Sequence, residues 1–193
     1  MELQLEELGY QKTAINAVIK VFDGTEKNTF DNACIEGVRS NLCTLSAKQL
    51  ADNIKATVIE NGIEDETAKF SVENDLCIEM ETGTGKTYVY LRTVYELNKL
   101  YGFKKFVIVV PSVAIREGVL KNLQITHEHF QSLYDKTSIN FDIYYSKKVS
   151  NLRGFSSGNA IQVLVINIDS FAKDENIINK PNDKLTGNKP IEF

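Results

Sequence analysis

The chain has 193 residues, 42% of them hydrophobic, and a formal net charge of -4 from 26 acidic and 22 basic side chains. That length sustains one well-buried domain and is too short for two large ones. The acidic balance excludes a general basic coat for nucleic acid, so any such contact has to be local, and the cysteines Cys34, Cys43 and Cys77 have neither the even number of a disulfide framework nor the C-x-x-C spacing of a zinc site.

The N-terminus, MELQLEELGYQ, has no basic flank with an apolar core behind it, and no later apolar run approaches the roughly 18 residues of a membrane span. A soluble, reduced, cytoplasmic chain is expected. Residues 10–22 read as a first helix, because Ala14, Ile15, Val18, Ile19 and Phe22 share one face. Asp23-Gly24 ends it. Residues 25–45 have little period and read as a loop-rich insertion. Ser46 opens a second helix: Gln49 stands where a capping box requires it, Leu50, Ile54 and Val58 recur every fourth residue, and Asn61-Gly62 closes the run. Eight acids then lie between Glu60 and Glu81 against one lysine, Lys69, the pattern of a solvated surface segment.

Three short apolar runs follow, LCIEM, FVIVV and IQVLVINI, separated by helical patterns, with INFDIYY as a more alternating fourth. Strands that are apolar on both faces, with helices between them, predict an α/β domain with a mostly parallel sheet and helices on both faces. Residues 173–193 contain Pro181, Gly187 and Pro190 without sustained period and read as a connection toward something further on. The expected organisation is N-terminal helices over residues 1–75, an α/β core over 76–172 and a connection over 173–193.

Between LCIEM and the next helical pattern stand Thr82, Gly83, Thr84, Gly85, Lys86 and Thr87. A glycine-hinged loop between a buried strand and a helix is the setting of a phosphate-binding loop. Glycines let successive N–H groups and the positive end of the helix dipole face an anion. Lys86 would supply a point charge for the β and γ phosphates and the Thr87 hydroxyl a ligand for Mg²⁺, so the expected ligand is a nucleoside triphosphate with magnesium. One departure narrows the family: the strict G-x-x-x-x-G-K-[ST] pattern places glycine where this chain has Met80.

A T-G-x-G-K-T loop lacking that glycine resembles motif I of the superfamily 2 helicases and translocases, whose motors are RecA-like domains. LGYQKTAI is similar to their Q-motif region, which implies that Gln11 selects adenine and that Tyr10 stacks on the base. VIVVPSVAIREGVLKNL occupies the place of motif Ia, where Ser112 at a helix start and Arg116 one turn on would meet nucleic-acid backbone. Ser112 can equally serve as a cap and Arg116 as a surface charge. VLVINIDSFAK resembles the segment carrying motif Ib or Ic, with Asn167 and Ser170 as contacts.

IEMETGTGKTYVYLRTVYELNKLYGF, VIVVPSVAIREGVLKNLQIT, LVINIDSF and LTGNKPIEF together resemble the restriction (Res) subunit of type III restriction-modification enzymes. The resemblance implies ATP and Mg²⁺ as cofactors, double-stranded DNA as a partner and a modification (methyltransferase) subunit as another, in an enzyme that cleaves DNA at the expense of ATP. The D-E-x-x box of motif II and the arginine of motif VI are absent, and the adjacent acids Glu6-Glu7, Glu64-Asp65-Glu66 and Asp174-Glu175 follow no suitable strand. The chain therefore reads as a RecA-like domain truncated before motif II, binding ATP with negligible turnover and leaving the LCIEM strand with an unpaired edge. A general superfamily 2 helicase or remodelling translocase and a non-hydrolysing nucleotide-binding module stay open as alternatives. His127 and His129 are two apart, which separates them on a helix and reads as surface, Cys77 reads as a small buried residue, and Tyr88, Tyr90, Tyr95 and Tyr101 read as packing groups.

Overall fold

The computed structural model describes residues 8–29, 33–35, 38–63 and 75–192. The acidic segment 64–74 lies outside them. Two compact units divide the chain, one of Met1–Lys27 and Cys43–Tyr101, the other of Asn28–Leu42 and Gly102–Phe193.

The first unit is helical. α1 (Gly9–Val21) buries Gln11, Ile15 and Val21 and packs against both α2 (Ala47–Glu60) and α3 (Lys86–Tyr101). The α2 start is a full capping box: the Ser46 hydroxyl accepts from the Gln49 N–H at 3.3 Å, and the Ser46 N–H donates to Gln49 Oε1 at 3.0 Å. Two helix N-terminal N–H groups that would otherwise lack acceptors are thereby satisfied. Asn53 of α2 donates to the carbonyls of Val21 and Asp23, so α2 also closes the end of α1. α3 is the spine of the unit, with Val89, Leu91, Val94, Tyr95 and Leu97 all buried. Its last residue, Tyr101, donates its hydroxyl to the Ile19 carbonyl at 3.0 Å and sets its ring 6.3 Å from that of Phe22. Tyr88, Tyr95 and Tyr101 are packing groups, and burial pushes the Tyr95 hydroxyl up to about 12.

One expectation in this unit fails. Residues 75–80 pair with no described strand, and Leu76, Cys77 and Ile78 are exposed. An apolar run becomes a strand only when a neighbour supplies the backbone ladder, and no described residues do so here. Among the described residues the anticipated LCIEM strand does not form, and Cys77 is exposed where a buried residue was expected.

The second unit contains the sheet. The insertion contributes a short antiparallel hairpin, β1 (Cys34–Ile35) with β2 (Val38–Arg39). Then follow β3 (Lys105–Val110), α4 (Val113–Leu133), β4 (Ile139–Ile143), α5 (Asn151–Ser157) and β5 (Ile161–Asn167). The three long strands are parallel in the order β3-β5-β4. The last strand in sequence is thus central, and every residue from Ile161 to Ile166 is buried, so both of its faces are covered. Leu164 and Ile166 pack with Leu152 of α5, Tyr144 and Val149, while α4 lies against β5 and β3. β3 lies at one edge of the sheet, with Val107 and Val109 half-exposed.

Residues 173–192 are more than a connection. Ile178 and Leu185, on short 3-10 turns, are buried in the same cluster as Leu164 and Ile166. Asn182 starts the second turn by accepting the Lys184 N–H on its side chain at 3.0 Å.

Candidate functional site

The glycine loop and the start of α1 form one constellation within the first unit. Gly83 and Gly85 have φ of +81° and +85°, which L side chains adopt only with strain. Lys86 begins α3, and its ammonium reaches back to donate to the carbonyls of Met80 at 2.6 Å and Glu81 at 2.7 Å. The Thr84 hydroxyl donates to the same Glu81 carbonyl at 2.6 Å. The loop is thus closed on itself by its own lysine, in front of a helix N-terminus whose first N–H groups have no helical acceptor. Thr87 stands half-buried in the first turn, and one turn on, burial pushes the Tyr90 hydroxyl up while the neighbouring Thr87 side chain opposes that shift.

α1 meets the loop at the Thr84 carbonyl. Tyr10 donates its hydroxyl to it at 3.1 Å and Gln11 donates its amide at 3.0 Å. Gln11 is buried against the loop, and a Cβ at Gly85 would lie 2.6 Å from its Nε2. Tyr10 stays half-exposed. Beside them is a cavity of about 780 Å³ lined by Tyr10, Thr57, Cys77, Met80, Glu81 and Thr84 among others. The structure thus brings Tyr10, Gln11 and Thr84 to one carbonyl, with Gly85, Lys86 and Thr87 next in chain; Thr82 and Gly83 are exposed on the same loop.

The residues proposed for backbone contact lie in the second unit. Ser112 caps α4, its hydroxyl accepting the Ile115 N–H at 3.3 Å. Arg116, one turn on, has a side chain only 13% exposed; its guanidinium pairs with Glu117 at 3.1 Å and lies 5.1 Å from the centre of the Tyr145 ring. Asn167 ends β5 with its side chain accepting weakly from the Asp169 N–H at 3.4 Å, and Ser170 closes the turn that follows. Arg116, Asn167 and Ser170 line one cavity of about 440 Å³, which Ser112 does not reach.

The family model described as "Type III restriction enzyme, res subunit" matches residues 4–190. The chain belongs to that family. The family's domain is of the helicase type, which implies nucleotide binding. Over 134 residues it is 34% identical to the type III restriction-modification enzyme EcoP15I Res subunit of Escherichia coli and, equally, to the EcoPI Res subunit of Escherichia phage P1, matches that cover 68% of this chain and 14% of each relative. The StyLTI Res subunit of Salmonella typhimurium is 32% identical over 139 residues, 71% of this chain and 11% of that protein. This Res-family chain therefore spans a small part of the length of the relatives it matches.

Two residues beside the second cavity were not singled out from sequence. Tyr145 and Ser146 line it with Arg116 and Asn167. The available signal was INFDIYY itself: loops at the carboxyl ends of parallel strands are where α/β proteins place their ligands. Asp169 and Glu175 line the same cavity, so its charge is mixed. His127 and His129 are both half-buried on α4, and among the described residues no group of three histidine, cysteine or carboxylate side chains could hold a metal. No helix among the described residues is long and apolar enough to cross a membrane.

Proposed function

We propose that this chain is the ATP-gripping part of a DNA translocase motor, a RecA-like P-loop domain of a type III restriction enzyme. The observation that carries the reading is the loop closed by Lys86 with Tyr10 and Gln11 fastened to its Thr84 carbonyl. Two glycines at positive φ, a lysine and a helix N-terminus converge there, an arrangement that favours a polyphosphate. In this reading the backbone of residues 82–87 and the Lys86 ammonium hold the phosphates, Thr87 holds Mg²⁺, and the cavity beside Tyr10 has room for the nucleoside. Gln11 keeps one amide N–H and its carbonyl oxygen for the adenine edge, since one donated bond to Thr84 leaves both available. Bound Mg²⁺ would neutralise phosphate charge during phosphoryl transfer.

The acid pairs Asp65-Glu66 and Asp174-Glu175 do not directly follow an apolar strand-like run as the D-E-x-x box of motif II does, so in this reading the chain by itself holds nucleotide with negligible turnover. Ser112, Arg116, Asn167 and Ser170 are assigned to duplex DNA backbone, with Ser112 acting through the helix start it caps. DNA cleavage, the modification subunit as partner and a cytoplasmic setting belong to the proposed whole enzyme. Titration calorimetry with Mg-ATP and Mg-GTP tests the reading. Wild type is expected to favour ATP, and Gln11→Ala to lower that preference by about 5- to 30-fold, the loss of one or two hydrogen bonds. Equal affinity for both nucleotides in wild type would overturn the adenine assignment.

A further inference from the structure

The carboxyl edge of the sheet has three loops, and the backbone-contact reading uses only those after β3 and β5. β4 supplies the third. Val110 of β3 is in register with Asn167 of β5, and Ile143 of β4 with Val165. The Tyr144 N–H extends the ladder by donating to the Val165 carbonyl at 2.9 Å. Two residues past Ile143, Tyr145 therefore comes level with Asn167, at the same edge as Arg116.

Three observations meet at Tyr145. The residue is 40% exposed, so burial alone does not account for an aromatic there. The Arg116 guanidinium lies 5.1 Å from the ring centre, within the range of a cation–π contact. The cavity that both residues line also exposes Asp169 and Glu175. A guanidinium free to swing would be drawn to either carboxylate and lost to a ligand. Contact with the Tyr145 ring restrains it, while its pair with the adjacent, half-exposed Glu117 is weak enough to yield to a phosphate.

We propose that Tyr145 is a positioning residue: its ring holds the Arg116 guanidinium at the carboxyl edge of the sheet, where it meets a backbone phosphate of duplex DNA. The inference rests on the reading of Arg116 as a backbone contact. Tyr145 acts through the charge of Arg116 and reads no base. What matters is the face of the ring, and the hydroxyl is dispensable.

The experiment measures binding of the full chain to duplex DNA of mixed sequence by fluorescence anisotropy, across salt from about 50 to 200 mM. Arg116→Ala is expected to weaken binding and to reduce the salt slope by about one phosphate contact. Tyr145→Ala and Tyr145→Leu are expected to weaken binding by about 3- to 30-fold with the same reduction in slope, whereas Tyr145→Phe stays near wild type. The double variant Arg116→Ala/Tyr145→Ala should bind no worse than Arg116→Ala alone. If Arg116→Ala lowers affinity and slope while Tyr145→Ala changes neither, the positioning role is refuted and the backbone reading survives. If Arg116→Ala itself leaves the slope unchanged, both fall. Loss in Tyr145→Phe equal to that in Tyr145→Ala would also refute the role, since it would place the effect on the hydroxyl.

Discussion

Replacing Gly85 by alanine is expected to damage the nucleotide loop in two separable ways. The first is conformational: φ is +85°, a region that costs an L side chain about 1–2 kcal/mol. The second is local crowding, because the new Cβ would lie 2.6 Å from Gln11 Nε2. Gln11 is a flexible side chain, so it would swing away and forfeit its 3.0 Å bond to the Thr84 carbonyl, a net loss of about 1 kcal/mol. Together these disfavour the closed loop by about 2–3 kcal/mol, or roughly 30- to 150-fold in affinity for a ligand that requires it. At Gly83, by contrast, φ is +81° and no atom lies within 4 Å of the added Cβ, so Gly83→Ala should show the conformational part alone. The assay is fluorescence titration with a labelled ATP analogue in the presence of Mg²⁺, beside a thermal melt to show that the helices persist. Adding Gln11→Ala to Gly85→Ala should cost less than the two single losses summed, since the alanine removes the group that clashes. Affinity of Gly85→Ala within threefold of wild type would refute this account of the loop.

Leu185 is fully buried among Ile178, Leu164 and Ile166, so Leu185→Ala should destabilise the fold by about 2–5 kcal/mol in urea denaturation; a loss under about 1 kcal/mol would show that residues 173–192 are not packed on the sheet. Burial, reinforced by Arg39 and Lys104, lowers the Lys105 ammonium from its ordinary 10.5 to about 8. The folded state then binds fewer protons than the unfolded state between those values, so stability should rise as pH climbs from about 8 toward 10, by about 1 kcal/mol once solvent screening is allowed for. Lys105→Met should flatten that rise, and an equal slope in the variant would refute the assignment.

What could be read from the sequence was what is encoded locally. The capping box at Ser46 and Gln49, the helix after Lys86 and the two hinging glycines each involve residues within one or two turns, and each is where the pattern put it. The run LCIEM had the composition of a strand, but a strand also needs a partner, which composition does not carry. Ile178 and Leu185 lay in a stretch without helical or strand period because 3-10 turns bury isolated residues and produce no repeat. Tyr145 was missed for a third reason. Its partner Arg116 is twenty-nine positions earlier in the chain, and only the order β3-β5-β4 brings the two strand ends together. The Q-motif resemblance pointed to the adenine, and the structure adds a contact it did not foresee, from Gln11 to the loop itself.

The most direct test of the account is calorimetric titration of the chain with Mg-ATP, set against Lys86→Ala. Lys86 closes the loop through two carbonyls and supplies its only cation, so the account predicts clear one-site binding by wild type and a loss of at least roughly 10- to 100-fold in the variant, with the helical signal by circular dichroism unchanged. Mg-ATP binding of equal strength by Lys86→Ala, or none by a well-folded wild type, would contradict it.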